Sequence, residues 1–384
     1  MSPLADGSPL LVCVGAGGVG KTTLAAAMGV ASARAGRDTL VMTFDPSLRL
    51  KDALGVGEEA REREVRVDLE ADGELYASLL DARLTFDRLI ERYAPDPAAR
   101  QRVLGNRFYQ HLSGSLGGIL EYMAVERLFE VAAGGRYQQV VLDTPPTRQA
   151  LDFLEAPARI VGFLDSGALR VALRPWFDAG GRLKATSRLG GLGRRAERFL
   201  DEVVGLDLLR DMAEFFQAFS PLFAGFRERA SQVEELLRSP RTCFVLVAGP
   251  GEERIADTLF FARRLQQAGY RLGPIVVNRV HPEPAEPRWL APPLPVPAAP
   301  PALPALPKIS SGPGQLDGVD LLAWLGERDR RGLVELARLL SDDQPLVDLP
   351  LRAEEPTDLA SLADLGAELE ERAADWRRYL RREA

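Results

Sequence analysis

Cysteine and histidine are almost absent from this 384-residue chain, which has only Cys13 and Cys243 and only His111 and His281. The two cysteines lie far apart, each inside an apolar run. Neither a disulfide framework nor a paired-thiol zinc site can be assembled from them within one chain, so zinc is not expected. Two imidazoles leave little scope for histidine chemistry. Lysine is scarce too, with four against 44 arginines, a skew of the kind genome base composition produces; each lysine is therefore worth reading. No basic block stands out, and 55 acidic against 48 basic residues give a net charge of −7, so nucleic acid is not an expected partner. No apolar run approaches the roughly 18 residues of a membrane span, and the first residues lack a basic n-region and cleavage site. A cytoplasmic location is the expectation.

With 46% apolar residues the chain can bury a core of the size of one large α/β domain or two ordinary ones. Residues 10–14 form a short apolar run that ends in a glycine cluster, followed by a helical pattern over 23–35 and another buried strand over 39–44. Strand, glycine loop, helix, strand is the opening of a parallel α/β sheet. Runs at 140–142, 243–247 and 275–277 repeat the type, and 75–80 is a further strand candidate. Helical periodicity marks 85–93, 116–131, 158–173, 196–209 and 208–237. These spacings predict one domain over 1–384, with a mostly parallel central sheet flanked by helices. A helical subdomain is inserted between strands, at about 82–135 and 155–240. Residues 282–313 hold 12 of the 28 prolines and read as an extended surface loop, either a tolerated insertion or a partner motif.

The last segment, about 358–383, places Leu359, Leu362, Leu365, Leu369, Ala373, Trp376 and Leu380 on one helical face. Arg377, Arg378, Arg381 and Arg382 crowd its end. It reads as a docked structural helix, with contact to an anionic membrane surface as the alternative. Phe215, Phe216, Phe219, Phe223 and Phe226 concentrate aromatic surface in one helical stretch. That stripe reads either as subdomain core or as the floor of a groove for an apolar client helix.

Gly15-Ala16-Gly17-Gly18-Val19-Gly20-Lys21-Thr22-Thr23 has two glycines five apart followed by Lys and Thr, the phosphate-loop pattern. Between a strand and a helix, the loop amides converge where the helix dipole is positive, so an anion can sit there. Lys21 then reaches the β and γ phosphates, and the Thr22 hydroxyl serves magnesium. Asp45 and Asp52, seven apart beyond the second strand, can serve the metal and the attacking water. Asp143 ends the third apolar strand, where a magnesium-shell aspartate belongs. Asn278 ends the strand at 275–277, where its amide can read an adenine edge.

Together these segments resemble the arsenite-pump ATPase (ArsA) family, whose eukaryotic relatives target tail-anchored membrane proteins. The likeness runs through the glycine loop, Asp45-Pro46 with Asp52 (switch I), residues 118–131, residues 143–157 (switch II), Val276-Val277-Asn278 and residues 350–359. Its most specific stretch is Asp143-Thr144-Pro145-Pro146-Thr147-Arg148-Gln149-Ala150-Leu151-Asp152-Phe153-Leu154. The resemblance implies a dimeric P-loop ATPase using ATP and Mg2+, whose nucleotide state is coupled through switch II to the helical subdomain. It gives Asp52 the role of orienting the hydrolytic water, Asp45 a place in the magnesium shell and Asn278 the adenine contact. A homodimer or a heterodimer with a paralogous ATPase is implied, as is a protein client on the helical subdomain.

Three features depart from the family pattern. The lysine that usually precedes the paired glycines, and reaches the partner's nucleotide, is Ala16 here. The metalloid-binding cysteines have no counterparts, so arsenite is not an expected ligand. The paired-cysteine clasp of the eukaryotic dimer is also missing. The chain is most similar to bacterial ArsA-like proteins without the lysine, and slow turnover in isolation is expected, with Arg49 the nearest substitute cation by sequence. The rival readings are a MinD- or ParA-type positioning ATPase and an ATP-binding regulatory subunit serving a paralogue.

Overall fold

The computed structural model describes residues 8–44, 49–61, 63–94, 96–107, 109–110, 119–145, 155–156, 162, 215, 223–282 and 318–376. It divides into two compact units, one of Met1–Ser78, Tyr137–Thr147 and Arg238–Ala384, the other of Leu79–Arg136 and Arg148–Leu237.

The first unit is built on an eight-stranded sheet in the order β3-β4-β2-β5-β1-β6-β7-β8. Its strands are β1 (Leu10–Gly15), β2 (Thr39–Thr43), β3 (Val65–Arg66), β4 (Leu75–Leu79), β5 (Gln139–Asp143), β6 (Thr242–Ala248), β7 (Leu272–Val280) and β8 (Leu346–Pro350). β1 pairs in parallel with β5 and β6, as do β2 with β5, β6 with β7 and β7 with β8; β3 pairs antiparallel with β4. The expected mostly parallel α/β sheet with flanking helices is what forms. Every residue of β1, β2, β5 and β6 is buried. Continuous apolar runs are what strands covered on both faces require.

Helix α1 (Lys21–Arg34) buries ten of its 14 residues, because it packs on β2 and β5 and also against the helix near the chain end, Leu359–Ala374. That later helix turns Leu362, Leu365 and Leu369 inward, and full burial of such a side chain contributes about 1.5–3 kcal/mol. Its Gly366 permits the approach, since a Cβ there would stand 2.5 Å from the carbonyl oxygen of Ala27. A capping box between Asp358 and Ser361 starts the helix. The four terminal arginines lie outside the described residues. The short helix α2 (Arg49–Leu54), helices Ile255–Gln267 and Gly318–Leu339 and strands β3 and β8 also belong to the unit, none of them expected from periodicity.

The second unit is helical in its described parts: α3 (Ala82–Tyr93), α4 (Pro97–Leu104), α5 (Ile119–Gly134) and α6 (Phe223–Arg238, of which Arg238 belongs to the sheet unit). Asp81 caps α3 by accepting from the Leu84 amide at 3.0 Å. Phe86, Tyr109 and Phe215 form an aromatic cluster, with Tyr109 edge-on to Phe86 and stacked on Phe215. Arg229 of α6 pairs with Glu126 of α5 at 2.5 Å, and its guanidinium lies over the Phe129 ring. Of the phenylalanine stripe, Phe215 is buried core; Phe216, Phe219 and the side chains of Phe223 and Phe226 lie outside the described residues. No helix among the described residues is long and apolar enough to cross a membrane.

Candidate functional site

The carboxyl ends of the parallel strands carry the site. β1 stops at Gly15, whose φ is 152° and where a Cβ would stand 2.0 Å from the Val247 carbonyl oxygen of β6. No other residue fits that contact. Gly18 and Gly20 follow with φ of 77° and 92°, and Gly20 caps α1. The chain thus turns from strand into helix in five residues, which puts the loop at the positive end of α1.

Lys21 folds back over this loop, its side chain buried and its Nζ donating to the Ala16 carbonyl oxygen at 2.9 Å. Thr22 Oγ1 donates to Asp143 Oδ2 at 2.8 Å, and Thr43 Oγ1 donates to the same oxygen at 2.8 Å. Asp143 is fully buried at the end of β5. The register sets Cys13 beside it, and burial, reinforced by the Asp143 charge, pushes the Cys13 thiol up in pKa. That cysteine is a core residue, not a ligand. Thr144 Oγ1 donates to the Cys13 carbonyl oxygen at 2.6 Å and so secures the start of the segment leaving β5.

Asp52 sits exposed on the short helix Arg49–Leu54, and its carboxylate has no ion pair or hydrogen bond among the described residues. The neighbouring Lys51 is tied instead to Glu58, which Arg61 also holds; these two bonds keep the Glu58 carboxyl below its ordinary range. Asp45 lies outside the described residues, as does the switch II stretch from Pro146 to Leu154. Asn278 lies within β7, which continues past it to Val280, and its amide is committed to protein. Nδ2 donates to the Val19 carbonyl oxygen at 2.9 Å, and Oδ1 accepts from the Arg279 amide at 3.0 Å.

Several residues of this edge escape a reading of spacing. Arg254, just beyond β6, lines one small cavity together with Ala16, Gly249, Thr258 and Phe261. It is exposed and has no ion pair among the described residues, which makes it a cation beside the position where a lysine is missing. His281 donates its amide to Asp329 Oδ2 at 3.0 Å and sets its Nδ1 2.7 Å from the same oxygen. Arg328 donates twice to Asp329 Oδ1. This buried carboxylate fastens the helix Gly318–Leu339 to the end of β7. Neither Arg254 nor Asp329 lies in a local motif.

Residues 9–179 match the model of a family described as anion-transporting ATPase, ArsA_ATPase. The chain is 29% identical over 150 residues to the ATPase GET3 of Malassezia globosa, an alignment covering 38% of this chain and 42% of the relative. It is 29% identical over 177 residues to a putative arsenical pump-driving ATPase of Halobacterium salinarum, covering 43% of this chain and 26% of that protein. A putative arsenical pump-driving ATPase 1 of Aquifex aeolicus is 24% identical over 280 residues, 71% of this chain and 64% of the relative. The chain thus spans between about a quarter and two-thirds of the length of these curated relatives. The ArsA-like P-loop ATPase resemblance read from the residues is supported by these matches, and the family model covers the phosphate loop, Asp52 and Asp143.

Proposed function

We propose that this chain is an ATP-binding and ATP-hydrolysing switch of the ArsA-like kind, acting as a dimer whose nucleotide state is relayed to its helical unit and to a protein client there. The observation that carries this reading is the Thr22–Asp143 contact of 2.8 Å directly beneath the phosphate loop. A hydroxyl and a carboxylate oxygen so placed fit Mg2+, which takes one or two hard protein ligands and completes its shell with water and phosphate oxygens. Thr22 and Asp143 would hold the ion, with Asp45 as the third candidate. Bound there, it would neutralise charge on the β and γ phosphates.

The chain's own residues supply the rest. Lys21 exchanges the Ala16 carbonyl for phosphate oxygens, a stronger charge-assisted partner. The loop amides bind the phosphates without side-chain charge. Thr43 keeps the Asp143 carboxylate in place, and Asp52 orients the attacking water. Because Ala16 offers no cation, turnover by the isolated chain should be slow, and Arg254 is better placed beside Ala16 than the Arg49 that sequence order suggests. Magnesium-dependent ATP turnover and ATP binding, measured in wild type and Asp52→Asn, test the assignment. Equal binding with turnover lost in the variant is expected; a variant as fast as wild type overturns the role of Asp52.

A further inference from the structure

Successive side chains of a strand point to opposite faces of the sheet, yet Asn278 and Arg279 both reach the phosphate loop. The reason is a register shift between Val277 and Val280 in the pairing of β7 with β8. In that bulge Arg279 adopts φ 64°, the only positive φ of a non-glycine residue among the described residues. A bulge is a means of re-aiming a side chain, and a left-handed arginine is held against its own preference. Its guanidinium then donates to the Gly18 carbonyl oxygen at 3.4 Å through one amino group and to Glu355 Oε1 at 2.7 Å through the other. Asn278 meanwhile takes the next carbonyl, that of Val19.

A trans peptide is planar, with its C=O and N–H on opposite sides. Gripping the Gly18 carbonyl therefore orients the N–H of Val19, and gripping the Val19 carbonyl orients the N–H of Gly20. Those two N–H groups donate to no protein acceptor among the described residues, so both remain as donors for an anion. We infer that Arg279 is a positioning residue of the phosphate loop: from the bulge in β7, with Asn278, it locks two successive peptide planes so that their N–H groups face a bound phosphate. Glu355 orients the guanidinium fork; as an exposed ion pair it contributes little stability of its own. The inference rests on the nucleotide reading above and adds a residue outside the matched segment of the family model.

The test separates strain from function by using Arg279→Gly, which adopts a positive φ freely, beside Arg279→Ala and Glu355→Ala. The readouts are magnesium-ATP affinity by calorimetry, melting temperature, and hydrogen exchange of a peptide spanning Gly15 to Thr23. Arg279→Gly is expected to melt no lower than wild type, yet to bind about tenfold more weakly and to exchange its loop amides faster. Glu355→Ala should fall between the two. A wild-type chain that binds ATP, together with Arg279→Gly at unchanged affinity, overturns this assignment alone. A wild type that binds no ATP overturns the nucleotide reading, and this assignment with it.

Discussion

The sheet unit and the helical unit place buried charge in opposite ways. In the sheet unit the buried ionisable groups Lys21 and Asp143 stand at or beyond the carboxyl ends of β1 and β5, and the other residues of those two strands carry no charge. In the helical unit the buried carboxylate, Glu126, lies within a helix and is matched by Arg229 from a helix 103 residues away in the chain. Charge at an edge is available to a ligand; charge inside a helix pair serves the pair. Removing the first should therefore cost chemistry, and removing the second should cost stability.

The largest effect expected is at Lys21. On the proposed function, Lys21→Ala removes the side chain that would answer charge building on the γ-phosphate, and loss of such electrostatic help costs on the order of 10³-fold in turnover. Melting temperature should barely move, because the Ala16 carbonyl bonded by Lys21 lies at an edge that water can reach. A variant that melts far below wild type would show that the edge lysine holds the fold, and the comparison would fail. Glu126→Ala should behave in reverse. It leaves Arg229, 14% exposed, without its partner, a loss of about 3 kcal/mol. Denaturant unfolding should show that loss while ATP affinity stays at the wild-type value.

How much of this was legible in the sequence follows the same division between local and assembled features. The central strands were readable because each is an unbroken apolar run, and the phosphate loop because its residues are contiguous. The helix Gly318–Leu339 was not readable, since its buried face carries Ala323, Gly326, Asp329, Gly332 and Leu336. Small residues and a fully buried aspartate give no apolar stripe to detect. β8 was hidden by its Asp348 and terminal Pro350. Lys21, Thr22 and Asp143 could be named from motif and strand end. The reach of Arg279 could not, for it depends on a bulge that exists only once β7 has paired with β8. Asn278 could be named from its strand, but the turn of its amide to the Val19 carbonyl could not.

The smallest effect sharpens the comparison through pH. Burial raises the Glu126 carboxyl above its ordinary 4.5, against the opposing pull of its bond and charge interaction with Arg229; Glu130 adds to the rise and Arg92 to the pull. Between 4.5 and the raised value the folded chain holds a proton that the unfolded chain has released. The stability tied to this group is thus fully present below the unfolded pKa and is lost as pH climbs through the folded one. Glu126→Gln cannot titrate but still offers Arg229 an acceptor oxygen, so every other carboxyl cancels when the two proteins are compared. The melting temperature of wild type relative to Glu126→Gln should rise as pH falls from neutral toward 4.5. A difference that shrinks over that range would mean that Arg229 keeps Glu126 ionised, making the pair a net attraction strong enough to outweigh its burial.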